Sequence, residues 1–351
     1  MLAWGFRPKG FYFWLALVAV VVALVFGFSK LARRSIEISN RPESSEELAK
    51  VSSKSAKKKW PKSSLAGIEC ENYNSRPFAV MVSSDKETRP LSGIGEADMV
   101  FEMPVVENGF TRMMAVYQCG LSDDKVGRPK EVGSVRSARL DFVPLALGLN
   151  TIYAHFGGER EVLEELNAGI INNIDGLKYD GSYYYRKKGI PRPHNAFTDF
   201  GLLTKVSQEL GYDLTDAKVN YPHEEKSKSQ GTAEPNPLFA EKFRVVWKYN
   251  KETNSYLRTR SAEPEIDKNT ARQVEAKNVV VMKTDWSPIN QDYIRVRTVG
   301  AGGLLVYKNG TVVSGTWEKK DDKAKLFFYD QNHKEIPLTA GITWIEIDAG
   351  L

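Results

Sequence analysis

The chain is poor in the residues that most often carry catalytic or metal chemistry. Among its 351 residues there are two cysteines and four histidines. Two thiols are too few to build a metal site unaided, and no two histidines have the short spacing of a zinc-binding helix. No Ser-His-Asp or Cys-His arrangement stands out either. The glycines of "VGAGG" (299–303) lie between β-type runs rather than before a helix, so they read as a bulge or turn, not as a phosphate loop. No metal and no cofactor is expected. A broad excess of basic charge is also missing. The net charge is +5, but much of it sits in "KLARR" (30–34) and "KSAKKKWPK" (54–62). The remainder is nearly balanced, which gives no case for nucleic acid.

What the sequence does have begins at its start. "FYFWLALVAVVVALVFGF" (11–28) is uncharged and long enough to span a bilayer. No small-x-small cleavage site and no cysteine for lipid attachment follow it. It therefore reads as a signal anchor over residues 1–30, a single-pass transmembrane helix. Arg7 and Lys9 precede the run; Lys30, Arg33, Arg34 and Arg41 follow it. Both flanks are basic, so charge alone does not orient the chain. Export would permit a Cys70–Cys119 disulfide; the alternative is two unrelated thiols.

Composition divides the rest. Residues 31–73 are mostly rich in Ser, Lys and Glu, with little to bury, and read as a flexible tether. Residues 74–215 mix strand-like runs such as "RPFAVMVSS" (76–84) with helical stretches at 159–169 and 199–212, the latter capped by Thr198 or Asp199. Residues 216–238 are polar and Pro/Gly-bearing, a hinge. Residues 239–351 are short alternating or β-branched runs punctuated by turns, a β-rich domain. The expected fold class is α+β: a transmembrane helix, an α/β-type mixed domain and a β-rich C-terminal domain.

The candidate site residues gather in the mixed domain, at strand ends and the loops after them. Arg136 and Arg139, in "GSVRSARLDF" (133–142), would share a helix face and meet one carboxylate or phosphate. Gly133 and Ser134 would add backbone donors at that helix's N-terminus, while Pro144 would kink or break it. The alternative is an exposed pair, or salt bridges to Glu102 or Glu107. Those two glutamates, flanking a strand junction, are the candidate acid and base of a hydrolase. Arg112, His155, Arg186, His194 and Asn195 complete the candidate set, His155 as a catalytic group and the others as ligand contacts. Trp286, Trp317 and Trp344 could stack on sugar, with core packing as the default.

A collinear series of stretches carries a resemblance: "RPLSGIGEADMVFEMPVVENGFTRMMAVY" (89–117), "VGSVRSARLDF" (132–142), "YAHFGG" (153–158) and "RPHN" (192–195). In the second half it continues with "NVVVM", "RTVGAGG", "NGTVVSGTW" and "AGITWIEI". Over about residues 74–348 the chain resembles the YerB-like family, a bacterial cell-envelope family with a two-part domain of unknown function. Family members commonly carry proline where Ser134 stands, and many carry a lipobox cysteine, replaced here by the apolar run. The resemblance implies domains outside the cell membrane. It implies no activity. The expected function is a membrane-anchored, extracytoplasmic protein binding a cell-wall polymer or other anionic glycan or peptide, with peptidoglycan the natural candidate. A cell-wall hydrolase using Glu102 and Glu107, and a scaffold for an envelope-synthesis protein partner, are the other two readings.

Overall fold

The computed structural model describes residues 59–351, apart from Asn108, Asp123, Asp124, Asp216, Glu225, Lys226 and Asp292. The apolar run at 11–28, with the expected transmembrane helix and most of the tether, lies outside the described residues. Among the described residues no helix is long and apolar enough to cross a membrane.

The strand-like runs of the first half form β1 (Phe78–Ser83), β2 (Met99–Pro104) and β3 (Thr111–Tyr117), buried at every position. Burial on both faces explains why these runs are nearly continuous in apolar residues rather than alternating. Ala79 and Met81 join Phe101, Met114 and Ile345 in one core, while Phe78, Val80 and Val82 join Val100, Ala115 and Trp344 in the other. The Val, Ile, Met and Phe side chains among them each contribute roughly 1.5–3 kcal/mol when removed from water. β4 (Val132–Gly133) precedes an irregular segment leading to α1 (Val143–Gly148), and β5 (Ile152–His155) runs parallel to β1. α2 (Arg160–Asn167) buries Val162 and Leu166, which its four-residue spacing sets on one face. β6 (Asn173–Asp175), β7 (Tyr185–Arg186) and β8 (Ala196–Thr198) follow, then α3 (Phe200–Glu209), whose first turn is capped by the Asp199 carboxylate accepting from Leu202 N at 2.9 Å.

The second half is β-rich, as its composition indicates. β9 (Val245–Asn250) and β10 (Ser255–Arg260) form a hairpin, and β11 (Asn278–Lys283) enters the main sheet. β12 (Trp286–Pro288) and β13 (Ile294–Val296) form a small separate hairpin. β14 (Gly300–Lys308), β15 (Thr311–Lys319), β16 (Phe327–Asp330) and β17 (Thr343–Asp348) complete the chain.

The largest sheet has ten strands, in the order β16-β15-β14-β11-β17-β2-β3-β1-β5-β6. β17 lies between the two halves, parallel to both β2 and β11. The two segments read from composition as separate domains therefore share one sheet, and residues 59–351 form one compact unit. Residues 216–238 do not act as a free hinge. Tyr221 is 2% exposed and donates its hydroxyl to Leu326 O at 3.0 Å, and Glu224 N donates to Leu338 O. The tether also ends earlier than composition suggests. Leu65 and Ala66 are buried, and a Cys70–Cys119 disulfide, with Cα atoms 5.9 Å apart, ties this segment just beyond β3.

Residues 134–139 are extended, not helical. Their backbone groups are taken by β8, β1 and the loop after β5: Val135 N donates to Ala196 O, Arg136 N to Met81 O and Ala138 N to Gly157 O. A helix would need those donors internally. Gly133 N is likewise taken by Ser92 O, so it offers nothing to an anion. Gly133 matters sterically, because a Cβ there would lie 2.4 Å from the Phe197 ring. Pro144 sits in the first turn of α1, where its missing N–H costs nothing.

Candidate anion-binding site

β1 delivers a carboxylate at its C-terminal end. Ser83, its last residue, donates its hydroxyl to Asp85 Oδ2 at 2.5 Å. Arg112 pairs with Ser83 across the β1–β3 ladder, which brings its guanidinium beside that carboxylate. The extended segment 134–139 lies against the end of β1 through a Val82–Val135 bridge and adds Arg136. The loop before β8 adds His194. Asp85 Oδ2 is 3.9 Å from Arg112 Nη1, 3.9 Å from Arg136 Nη2 and 3.6 Å from His194 Nδ1.

At these separations Asp85 balances charge but satisfies none of those N–H groups. Arg112 Nε and Nη1, Arg136 Nε, Arg139 Nε, His194 Nδ1 and the Ser134 hydroxyl are buried with no hydrogen-bond partner in the protein. Arg112 is only 2% exposed. Burial first, then the neighbouring Arg136 and Arg139 charges, bring its guanidinium down to about 9, still cationic at neutral pH. Burial and Arg139 lower Arg136 too, against the pull of Asp85. Arg139 forms an ion pair with Glu159, and the Tyr293 ring lies 4.5 Å from its guanidinium carbon. Three guanidinium groups thus face two carboxylates, Asp85 and Glu159. The surplus positive charge and unmet donors are what a carboxylate or phosphate would complete.

The expected residues divide. Arg112, Arg136, Arg139 and His194 meet in one cluster. Arg186 and Asn195 adjoin it as a brace: Arg186 Nη1 donates to Asn195 Oδ1 at 2.9 Å, Arg186 pairs with Asp180, and Val135 N bonds Ala196 O. Glu102, Glu107 and His155 are not part of the cluster. His155 is fully buried, with Nδ1 donating to Gly157 O at 2.8 Å and Nε2 3.2 Å from Asn173 Oδ1. Burial lowers its pKa, and both ring nitrogens are engaged inside the protein, so it is placed as a structural residue. Glu107 is exposed on the β2–β3 turn and, among the described residues, no hydrogen bond or ion pair ties it to the cluster.

Glu102 belongs to a different network. It is 0% exposed and accepts from Thr111 Oγ1 at 2.5 Å, from Arg260 Nη2 at 2.6 Å and from Arg258. Glu265 joins both arginines, and Glu346, opposite Glu102 in the β2–β17 ladder, lies 3.5 Å from Arg258 and accepts from Trp247 Nε1. The Arg258 guanidinium lies over Trp344 and Trp247, at 4.1 and 5.1 Å. Although burial opposes it, the Arg260 and Arg258 charges hold Glu102 below the usual carboxylate range. Burial raises Glu346, and Glu102 adds to that. The expected acid–base pair is thus corrected: Glu102 is an ionised core residue out of reach of substrate. Trp317 and Trp344 are also fully buried, so core packing holds for them, whereas Trp286 is half-buried.

Residue pattern alone missed Asp85, Glu159 and Tyr293. Asp85 carried a signal, an acidic residue just past an apolar strand. Tyr293 carried none, because it reaches Arg139 from the other half of the sequence. Among the described residues, no three His, Cys, Asp or Glu side chains stand close enough to hold a metal ion together.

Comparison with known proteins places the chain. Two family models match: "Protein of unknown function (DUF3048) N-terminal domain" over residues 64–213, and "Protein of unknown function (DUF3048) C-terminal domain" over residues 237–345. A Bacillus subtilis (strain 168) protein, "Putative lipoprotein YerB", is 28% identical over 300 residues, covering 82% of this chain and 86% of its own. The chain belongs to the YerB-like family. A crystal structure of the YerB protein from Bacillus subtilis superposes with a TM-score of 0.72 at 27% identity, covering 83% of this chain and 97% of that one. The YerB-like N-terminal model spans the four cluster residues and Asp85, and the C-terminal model spans Tyr293 and the two arginines that hold Glu102. The two-part division is thus a feature of YerB-like sequences, while in three dimensions β17 joins the parts.

Proposed function

We propose that the chain is a membrane-anchored, extracytoplasmic envelope protein that binds an anionic glycan or peptide, peptidoglycan being the natural candidate. Arg112, Arg136, Arg139 and His194 hold the ligand's carboxylate or phosphate. The observation that carries this reading is the set of buried guanidinium donors around Asp85 with no protein partner. Support for the location is of three kinds: the lipoprotein designation of the Bacillus relative, the apolar run at 11–28, and a disulfide suited to an oxidising compartment. Acid–base hydrolysis by Glu102 draws no support from a fully buried, arginine-paired carboxylate.

The test uses the full chain in detergent, with binding of inorganic phosphate followed by calorimetry and binding of purified cell-wall sacculi by co-sedimentation. Arg136→Ala and Arg139→Ala are expected to weaken both, each by about tenfold or more, and added salt to weaken the wild type. Unchanged binding in both variants would overturn the reading. Protease digestion of intact spheroplasts tests the location: the anchored domain is expected to be cut from outside.

A further inference from the structure

A groove of about 460 Å³ opens beside the arginine cluster. One wall is formed within residues 140–147, running into α1; the other is the β12–β13 hairpin and residues 297–299 after it. The connection to the cluster is direct. Arg139 and Asp141 are two residues apart, and the segment Tyr293–Arg295 reaches both: Tyr293 lies over Arg139, while Arg295 Nε is 3.0 Å from Asp141 Oδ1.

The lining of the groove mixes two chemistries. Leu140, Pro144 and Ile170 give it apolar wall, and Trp286 lines it half-buried while packing against the core. Among the described residues no other ring or guanidinium stacks on Trp286; Arg297 lies over Trp317 instead. The polar part consists of two carboxylate–guanidinium ion pairs. Asp141 accepts from Val296 N at 2.9 Å and faces Arg295, and Arg297 grips Asp285 through Nε and Nη2 at 2.9 and 2.6 Å. With Glu165 and Asp322 also on the wall, carboxylates outnumber guanidiniums, so the groove does not repeat the cationic character of the cluster.

We propose that this groove is a saccharide subsite, receiving the neutral sugar portion of the ligand whose anionic group sits on the arginine cluster. A sugar ring has a C–H face, which suits an indole, and a rim of hydroxyls, which suits carboxylate–guanidinium pairs able to donate and accept side by side. A lipid chain would take the ion pairs out of water without offering them a hydrogen bond, and a second anion would meet the surplus of carboxylates. Burial also pushes the Asp141 carboxyl up to about 7, so near neutrality it can donate to a hydroxyl as well as accept from one. The placement on one ligand rests on the anion-site reading; the saccharide chemistry of the groove does not.

The experiment titrates the full chain with two separate probes, chitotetraose as a neutral oligosaccharide and inorganic phosphate. Trp286→Ala and Asp141→Asn are expected to weaken chitotetraose by about tenfold or more while leaving phosphate affinity within about twofold. Trp286→Phe, which keeps a stacking face, is expected to retain part of the affinity, and thermal melts confirm that each variant is folded. Absence of chitotetraose binding to a wild type that binds phosphate overturns the groove proposal and leaves the cluster standing. Chitotetraose binding without phosphate binding overturns the cluster and its link to the groove. Chitotetraose binding that survives in both Trp286→Ala and Asp141→Asn places the sugar elsewhere and also refutes the proposal.

Discussion

Replacing Glu102 by Gln tests whether the buried network is structural or chemical. The carboxylate accepts from Thr111 and from two arginines that are at most 1% exposed. Gln keeps the shape but turns one acceptor oxygen into an NH2 group that must face a guanidinium or the Thr111 hydroxyl. Arg258 and Arg260 then have Glu265 as their remaining ionised partner. Breaking a buried pair in this way costs about 3–5 kcal/mol, roughly a fifth or more of the stability of an ordinary domain. The cost should depend on pH, because Glu346 stands beside Arg258 and is raised partly by the charge being removed. In the variant that raising cause is gone, so Glu346 ionises more readily and takes over part of the pairing as pH rises. The destabilisation is therefore larger near about pH 5 than near about pH 8, by about 1 kcal/mol or more. Urea unfolding followed by tryptophan fluorescence reads this directly, since Trp247 and Trp344 border Arg258. A loss below about 1 kcal/mol, or a cost that grows with pH, would refute the account. Phosphate binding by the folded variant should be unchanged, because Glu102 is not in the cluster.

Three further outcomes follow from the site and its supports. Asp85→Asn removes the carboxylate that competes with a ligand for Arg112 and Arg136, so phosphate affinity should rise and its salt dependence steepen; weaker binding in calorimetry would count against the cluster. The double variant Cys70→Ser, Cys119→Ser opens a link spanning 49 residues and should cost up to about 4 kcal/mol in urea unfolding, with no change in the variant's response to reductant. Asp141 is raised to about 7 by burial, so the folded state holds a proton there that the unfolded chain has already lost. Its contribution to stability is full below about pH 4 and is lost as pH rises to about 7, up to about 4 kcal/mol in all, and Asp141→Asn should flatten that stretch of the stability profile.

The sequence carried local information well. The β2–β3 hairpin, the stop of α2 near Gly169 and the Asp199 cap of α3 were legible because each depends on neighbours within a few residues. The grouping of Arg112, Arg136 and His194 was legible as well, since all lie at strand ends or in the loops beside them. The conformation of residues 134–139 was not. Two arginines three apart suit a helix, but the backbone donors of that segment are claimed by Met81, Ala196 and Gly157, which are distant in sequence. The role of Glu102 was hidden for the same reason, because Arg258 and Arg260 come from the other half of the chain. A carboxylate in an apolar strand looks identical before and after its partners arrive.

The central position of β17 has a consequence for timing. Met99 in β2 takes Thr343 as its neighbour, and Asn278 in β11 takes the same residue on the other side. A chain made from its N-terminus exposes the β2 edge until the last strand is available, and contacts so distant in sequence close slowly. The first family segment, cut out by itself, would present that open edge permanently and invite self-association. Any attempt to study the arginine cluster on a shortened fragment would therefore meet an aggregating species, and the natural unit of production is the chain carried through to its final strand.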